Sequence, residues 1–596
     1  MPSDAHRQID PITLTLIWNS LISIAEEMSG ALRRTAFSEA VREGEDFSAG
    51  VFDASARLLA QGNNTPGHLG AMPYVVKNVL AYIPLDQLEP GDAIVTNDSY
   101  LGGGHYPDFY MVMPVFEERR LLGYVVNTAH HVDVGGAAPG SQTVQGVTEA
   151  FQEGLRVLPV RLIRKGEFDE DLLRVILGNV RIPEKVRGDL RAQRNANHVG
   201  AERLRALYRA QGSSAVHDAI EELLARSEQR TRELISAIPD GTYSFDDVLD
   251  DVGPGTEPVR VCVDVDIKGD EAVVDFSRSS DQVKAGINSY INYTRAYATF
   301  SIRTFAKVDV PHNDGVEQPI RTVARSKSFF NPEYPAPSSG RANIQIRIFD
   351  AINGALAKAL PERVMGAFSH WANPIFGGVH DETGRPWVMY DLIFGGYGGR
   401  FDKDGPEALC PVFNAANLPI EVHEANNPVL FHRFELIPDS GGAGRHRGGC
   451  GIRKDVEILC ASATVSLLGD RHRFAPYGLF GGQPGRPGET VLVRGGETTA
   501  LGSKERRQLD RHDIVSIRLA GAGGYGPPQE RDPDLLRHDI KRELVSAEAA
   551  RTTYGAKDGL SFTPSCPTLG RASTSLGHQD VDGRNKSGHD GRGSST

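Results

Sequence analysis

Hydrophobic positions near the start of the chain recur at helical spacing and predict one long amphipathic helix. Asp10 and Pro11 precede them, and an acid at the N-cap followed by proline at the first helical position is typical of a helix start. We expect this helix to end near residues 34–35. Its apolar face is formed by Ile17, Leu21, Ile24, Met28 and Leu32.

Short apolar runs bounded by turn residues predict strands in the stretch that follows. These runs cover 47–52, 57–60, 93–96, 109–116 and 121–126, and a helix is predicted over 72–82. The pattern then becomes strongly helical over 169–211, with an interruption at Pro183, and again over 215–238. The N-terminal region is therefore predicted to be α+β, ending in a helical part.

The pattern changes twice more along the chain. After a turn at 239–241, a hairpin is predicted over 259–267 and 271–276, with helices over 292–305 and 348–359. From residue 374 glycine becomes dense between short strands, which predicts a β-rich region with tight turns, and a last short helix is expected over 546–554. We interpret the chain as a multidomain α+β protein with four segments: 1–238, 239–370, 371–559 and a disordered tail, 560–596.

Composition narrows the class of protein. The chain has 596 residues, 40% of them hydrophobic and 24% charged, as in ordinary globular proteins. A formal net charge of −12 argues against nucleic acid as the main partner. No apolar run is long enough to span a bilayer, and no signal peptide is recognised, so a cytoplasmic location is expected. The cysteines are scattered, without a C-x-x-C pair, which suits a reducing compartment: Cys262, Cys410, Cys450, Cys460 and Cys566.

Two clusters of metal-ligand residue types lie within one stretch, 97–136. His105 and Asp108 form an H-x-x-D pair behind a glycine run, and His130, His131 and Asp133 follow a predicted strand. Two neighbouring strands could bring the clusters together. Imidazole and carboxylate ligands suit borderline to hard divalent ions such as zinc, manganese or iron. The residue types alone leave a metal site and a polar hydrogen-bond network about equally supported.

Other polar residues carry weaker signals. The acids before the first predicted strand, among them Asp46, and the acids after the glycine-rich loop, Glu149 and Glu153, are candidates for the same site. His68, placed just before the predicted helix 72–82, is a further one. GAGGYG at 521–526 matches the G-x-G-x-x-G pattern, but two prolines follow it in place of a helix, so we do not predict a dinucleotide site there.

Several long motifs together resemble the hydantoinase B/oxoprolinase family, from about residue 10 to residue 554. That family includes the B-type subunits of ATP-dependent N-methylhydantoinases, the corresponding half of 5-oxoprolinases and the alpha subunits of acetone carboxylases. One departure is Gly44, where the family pattern often has a basic residue. The motifs are EDFSAGVFD (45–53), NDSYLGGGHYPDF (97–109), NTAHHVDVGG (127–136), RIPEKVRGDLRAQ (181–193), ANLPIEVHE (416–424), DSGGAGRHRGGCG (439–451) and GAGGYGPPQERDP (521–533).

The resemblance implies a two-subunit enzyme with a divalent metal, manganese or zinc. A hydantoinase A-type partner, an actin-like ATPase, would bind ATP and activate a carbonyl or amide oxygen by phosphorylation, and this chain would supply a second active site. The metal ligands implied by the resemblance are His105, Asp108 and His131, with an acid of the Glu45–Asp46 pair as candidate fourth ligand.

The favoured hypothesis is hydrolysis of a cyclic amide such as a hydantoin or 5-oxoproline. The metal would polarise the carbonyl and lower the pKa of water, while Asp133 or His130 would orient the ligands and Asp46 or Glu149 would act as general base. The alternatives are an ATP-dependent carboxylase of the acetone or acetophenone type, and a non-catalytic scaffold for the ATPase. Substrate-dependent ATP hydrolysis would separate the two enzymes.

Overall fold

An antiparallel sheet of seven strands organises the N-terminal region, in the order β2-β1-β5-β4-β3-β6-β7. The computed structural model describes residues 9–306, 311–409 and 412–556. The predicted tail, 560–596, and Cys410 and Cys566 lie outside the described residues. The strands of this sheet are β1 (Phe47–Asp53), β2 (Leu58–Gln61), β3 (Ala93–Thr96), β4 (Asp108–Glu117), β5 (Arg120–His130), β6 (Val160–Arg164) and β7 (Glu167–Phe168).

Helices cover both faces of this sheet. Helices α1 and α5 pack on one face, and α3 packs on the other. Helix α1 starts as predicted, because the Asp10 carboxylate accepts a hydrogen bond from the Thr13 amide at 2.9 Å. The helices of this region are α1 (Pro11–Thr35), α2 (Glu39–Arg42), α3 (Pro66–Tyr82), α4 (Glu170–Gly178), α5 (Pro183–Gln211) and α6 (Ser213–Ser236).

Helix α3 begins at Pro66, earlier than the predicted start at residue 72, so His68 lies on the helix and not in a loop before it. Two glycines on its first turns let it approach helix α7 (Ile291–Arg303). A Cβ atom at Gly67 would lie 2.6 Å from Tyr297, and one at Gly70 would lie 2.5 Å from Ala296. The close packing of these two helices brings His68 towards residues of the middle region.

The middle region contains a four-stranded sheet in the order β11-β10-β9-β8, with helix α9 packed against it. The predicted hairpin is confirmed, because strands β9 and β10 pair in antiparallel orientation, with Lys268 directly opposite Glu271 next to the turn. Helix α9 starts six residues before the predicted position 348. The remaining elements are β8 (Gly241–Leu249), β9 (Val259–Lys268), β10 (Glu271–Asp275), β11 (Ile320–Val323), α8 (Asp314–Glu317) and α9 (Ala342–Leu356).

The C-terminal region is rich in strands, as predicted. A four-stranded sheet (β14-β13-β18-β21) and a five-stranded sheet (β16-β17-β22-β19-β20) share one hydrophobic cluster. The elements are β12 (Trp371–Ala372), β13 (Ile375–Val379), β14 (Pro386–Tyr390), β15 (Ile393–Phe394), α10 (Ile420–Asn426), β16 (Val429–Leu436), β17 (Ile452–Ile458), β18 (Ser462–Ser466), β19 (Glu489–Arg494), β20 (Glu497–Leu501), β21 (Arg506–Asp510), β22 (Ile514–Arg518), α11 (Pro533–Lys541) and α12 (Ala547–Thr552).

The glycine-dense segments of this region do more than form tight turns. Segments that include 395–399, 440–449 and 521–526 lie against one another backbone to backbone; the Ala522 amide, for example, donates to the Gly449 carbonyl at 2.9 Å. A Cβ atom at Gly521 would lie 1.7 Å from the Ser440 carbonyl oxygen, and one at Gly523 would lie 1.8 Å from that of Tyr477. The glycines of the GAGGYG motif therefore serve this close backbone packing.

One hydrophobic cluster joins the three regions. It includes Ala40, Ile287, Phe368 and Tyr525, which belong to all three predicted segments. The described residues form a single compact unit. The segment borders at 238/239 and 370/371 stay predictions. Within the described residues, no helix combines the length and apolar character that crossing a membrane requires.

Candidate metal centre

Three side chains with metal-binding atoms converge where two central strands of the first sheet, β4 and β5, begin and end. His105 Nε2 lies 3.1 Å from Asp108 Oδ1 and 3.2 Å from His130 Nδ1, and His130 Nδ1 lies 3.2 Å from Asp108 Oδ1. All three residues are buried. Among the residues that the structure describes, this is the group of His, Cys, Asp and Glu side chains close enough to share one metal ion.

The pairing of two adjacent strands produces this convergence. Asp108 opens β4 and His130 closes β5, and the two residues are direct partners across the strand pair, so their side chains share one face of the sheet. His105 lies in the loop just before β4, and its neighbour Gly104 contacts Arg341. A Cβ atom at Gly104 would lie 2.1 Å from the Arg341 guanidinium, so a side chain at this position would displace the guanidinium from its observed place.

The spacing of the three atoms fits a single small divalent ion. Two ligand atoms that bind one ion at about 2.0–2.1 Å lie about 3.3 Å apart in tetrahedral geometry and about 2.9 Å apart in octahedral geometry. The observed separations of 3.1 to 3.2 Å fall between these values. Two imidazoles and a carboxylate form a donor set that suits zinc or manganese.

Asp108 is held as a carboxylate by cationic and hydroxyl groups. Its Oδ2 forms an ion pair with Arg341, accepts a hydrogen bond from Tyr293 at 3.2 Å, and lies 3.4 Å from His68 Nε2. Burial by itself would raise the pKa of Asp108, but His105, His68 and Arg341 together hold that pKa well below its usual range. Oδ1 remains directed at the two histidines.

The ring of His105 is fixed by a backbone carbonyl. Its Nδ1 donates a hydrogen bond to the Ser339 carbonyl oxygen at 2.8 Å, which leaves the lone pair of Nε2 facing Asp108 and His130. Burial lowers the pKa of His105 to about 4, so the ring is neutral at pH 7. A neutral imidazole with an oriented lone pair is the form that binds a metal ion.

His130 is positioned by contacts on its other side. Its Nε2 lies 3.1 Å from the side-chain amide of Gln142, and its ring stacks on Tyr390 with centroids 4.6 Å apart. Tyr390 belongs to β14 of the C-terminal region, and Arg341 and Tyr293 belong to the middle region. The centre is therefore assembled from all three regions of the chain.

Asp46 and His68 lie beside the three converging residues. Asp46 Oδ2 lies 3.9 Å from His130 Nδ1 and accepts a hydrogen bond from Tyr390 at 3.1 Å. Asp46 Oδ1 has no hydrogen-bond partner in the described part of the chain, although His68 Nε2 is 3.8 Å away. A buried carboxylate oxygen without a hydrogen bond is costly, and a fourth ligand contact would satisfy it.

The structure differs from the expected ligand set at His131. This residue follows β5 and points to the opposite face of the sheet, where its ring edge packs on Phe109 and its Nε2 donates to Gln193 Oε1 at 3.0 Å. Consecutive residues of an extended chain face opposite sides, so only one of the two adjacent histidines can join His105 and Asp108. That residue is His130, the predicted orienting residue, in place of the predicted ligand His131.

Asp133 and Glu149 also lie apart from the centre. Both carboxylate oxygens of Asp133 are engaged, accepting hydrogen bonds from the amides of Gly135 and Gly140 and from the amide and guanidinium of Arg181. Asp133 therefore ties the glycine-rich loop to the segment before α5. It has no contact with His105, Asp108 or His130 that would give it the predicted orienting role. Glu149 is exposed at the start of a short 3-10 helix, Ala150–Glu153, and is therefore not placed to act as the predicted general base.

Comparison with known proteins gives this geometry a context. The model of the hydantoinase B/oxoprolinase family matches residues 10–528, which is most of the chain. The chain belongs to the hydantoinase B/oxoprolinase family. A protein of Pseudomonas sp. strain NS671, provisionally named as the B-type subunit of a D-/L-hydantoinase, is 32% identical and covers 92% of this chain and 95% of its own length.

Two solved structures share the fold of this hydantoinase B-type chain. The ATP-dependent caprolactamase of Pseudomonas jessenii superposes with a TM-score of 0.86 at 30% identity, over 93% of this chain and 97% of the other. Its beta subunit is 32% identical over 92% of this chain and 96% of that subunit. An acetone carboxylase structure gives a TM-score of 0.84 at 18% identity, over 93% and 81% of the two chains, which shows a common fold.

Glu153 is a buried acid of this hydantoinase B-type chain that the sequence singled out only weakly. Its Oε1 accepts hydrogen bonds from the amides of Ser338 at 2.6 Å and Ser339 at 2.5 Å. Burial raises the pKa of Glu153 to about 8, against the opposing effect of these two backbone amides. Among the described residues, burial and these hydrogen bonds account for the shift, and no charged side chain contributes to it.

We expect Glu153→Gln to remove part of the pH dependence of stability. The unfolded glutamate loses its proton near pH 4.5 and the folded one near pH 8, so its stabilising effect is complete below pH 4.5 and is lost as the pH rises to about 8. Relative to wild type, the variant should therefore gain about 3 kcal/mol between pH 5 and pH 8. Urea unfolding at several pH values measures this, and a constant difference would contradict it.

Proposed function

We propose that this chain is the B-type subunit of an ATP-dependent cyclic-amide hydrolase, with a divalent metal held by His105, Asp108 and His130. The observation that carries the proposal is the convergence of three metal-binding atoms 3.1 to 3.2 Å apart in a member of the hydantoinase B/oxoprolinase family. The similarity to a caprolactamase supports a cyclic amide as substrate. Relatives named as subunits support a partner protein.

The side chains of this site have distinct roles in the proposal. His105 and His130 present ring nitrogens, and Arg341 and Tyr293 keep Asp108 ionised with Oδ1 directed inward. A divalent ion bound there would supply Lewis-acid chemistry, polarising the amide carbonyl and lowering the pKa of water.

Asp46 is the proposed general base. Its Oδ1 is buried beside the centre without a hydrogen bond among the described residues, and it is therefore free to accept a proton from the attacking water. Asp46 as a fourth metal ligand is the competing assignment, because Oδ2 approaches His130 Nδ1 to 3.9 Å.

The proposed partner is an A-type ATPase that binds ATP and activates the amide by phosphorylation. Amides are stable, which gives a physical reason to couple ring opening to ATP hydrolysis. The proposed substrates share a cyclic amide, as in a hydantoin, 5-oxoproline or a lactam.

The experiment is product formation and ATP hydrolysis by the complex of this chain with its ATPase partner. Hydantoin, 5-oxoproline and caprolactam are compared with acetone or acetophenone plus bicarbonate. We expect ring-opened product with ATP turnover for at least one cyclic amide. Turnover with a ketone and bicarbonate alone would favour a carboxylase, and turnover with neither set would overturn both assignments.

A further inference from the structure

One short segment, 335–341, reaches the candidate metal centre from outside the first sheet; we name it the strap. The Ser339 carbonyl accepts the hydrogen bond from His105 Nδ1 at 2.8 Å, and Arg341 forms the ion pair with Asp108. Two of the three metal-binding side chains are thus oriented by groups two residues apart in the strap. A displacement of the strap would change the direction of the His105 ring and the environment of Asp108 together.

Glu153 holds the strap in place. One of its two carboxyl oxygens, Oε1, accepts hydrogen bonds from both the Ser338 and Ser339 amides, at 2.6 and 2.5 Å. The same 3-10 helix makes a second contact with the strap, because the Ala150 amide donates to the Pro335 carbonyl at 2.8 Å. Glu153 is 2% exposed and its Oε2 has no hydrogen-bond partner in the described part of the chain. Burying a carboxyl oxygen without a hydrogen bond is unfavourable for stability, which indicates that Glu153 is buried here to position the strap.

The strap packs closely against Gly286 at this junction. A Cβ atom at Gly286 would lie 2.4 Å from the Thr143 carbonyl oxygen, 2.7 Å from Ser339 Oγ and 3.4 Å from Glu153 Oε1. The Gly340 amide also donates to the Gly286 carbonyl at 2.7 Å. A methyl group at position 286 would therefore push the strap away from its observed position.

We propose that Glu153 is a positioning residue for the metal centre. By binding the two strap amides, it fixes the Ser339 carbonyl against His105 and the Arg341 guanidinium against Asp108. It acts through these residues and does not bind the metal. This inference rests on the proposed metal-binding function of the same site.

The test is cobalt(II) binding to the full-length chain, measured by competition with a chelator and by the visible absorption spectrum of the bound ion. Glu153→Ala removes the acceptor and should weaken cobalt binding about 10- to 100-fold and change the spectrum. Glu153→Gln keeps an oxygen acceptor for both amides and should restore wild-type affinity and spectrum. Glu317→Gln is the control, because Glu317 is a partly buried acid whose pKa is also raised by burial, but it is hydrogen-bonded to Tyr74.

The outcomes distinguish the proposed metal site from the proposed positioning role of Glu153. If wild type binds cobalt and folded Glu153→Ala binds it with unchanged affinity and spectrum, the positioning role is overturned while the metal site stands. If wild type binds no cobalt, the proposed function and this inference both fall. If Glu153→Ala does not fold, Gly286→Ala decides: we expect weaker binding and a changed spectrum, and unchanged binding would overturn the inference.

Discussion

Replacing Asp108 with alanine is expected to lower the free energy of unfolding by about 3–5 kcal/mol, because it leaves a buried charge without its partner. Arg341 is 1% exposed and forms its ion pair with Asp108. The same substitution removes the acceptor for Tyr293 and the contacts with His105 and His130. Urea unfolding followed by circular dichroism measures the change, with chelator present so that metal binding does not contribute.

Two further variants test whether the unpaired charge of Arg341 causes the loss of stability in Asp108→Ala. In the double variant Asp108→Ala/Arg341→Met both charges are absent, so it should be more stable than Asp108→Ala alone. Asp171→Ala is the surface control, since Asp171 is 88% exposed and paired with Arg174 at 2.9 Å. We expect that control to unfold almost as wild type does. If Asp108→Ala and Asp171→Ala lower the free energy of unfolding by equally small amounts, the buried ion pair does not stabilise the fold as described.

His105→Ala is expected to reduce product formation by the assembled complex about 10³-fold. Loss of a metal ligand removes Lewis-acid stabilisation worth several kcal/mol, and each 1.36 kcal/mol corresponds to a factor of ten in rate. The measurement is the rate of ring-opened product formation at saturating ATP. His217→Ala on α6 is the control, because that histidine is exposed and lies on a helix away from the centre.

A scaffold would behave differently in the same assay. If this chain only supports its ATPase partner, His105→Ala should leave product formation as high as in the His217→Ala control. Unchanged activity in a variant that folds and still binds the partner would therefore reject the catalytic role of the centre.

The choice between His130 and His131 shows where the sequence was insufficient. A simple hairpin closed by the pair Glu117 and Arg120 would place Asp108 opposite residue 129, and His131 would then share the face of Asp108. The structure instead has a register shift between Val115 and Phe116, with residue 122 as the extra residue of β5. This bulge moves the pairing by one residue and places His130 opposite Asp108. Nothing in the local pattern signals the bulge.

Other parts of the site differ in how far the sequence predicts them. The helix 11–35, the strands around the site and the H-x-x-D pair follow from local periodicity and residue type, which short segments determine. Arg341, Tyr293 and Tyr390 come from distant positions, and only tertiary packing brings them to Asp108 and His130. The glycine-dense segments were predicted to form tight turns. Close packing of one backbone on another also requires glycine, so the sequence alone does not distinguish the two.

Metal content tests the central claim most directly. Elemental mass spectrometry is applied to wild type, His130→Ala and His131→Ala after purification without chelators and incubation with manganese or zinc, each variant being checked for folding by circular dichroism. We predict about one metal ion per chain in wild type and in His131→Ala, and loss of the metal in His130→Ala. Retention in His130→Ala with loss in His131→Ala, or a wild type that takes up no metal, would contradict the account.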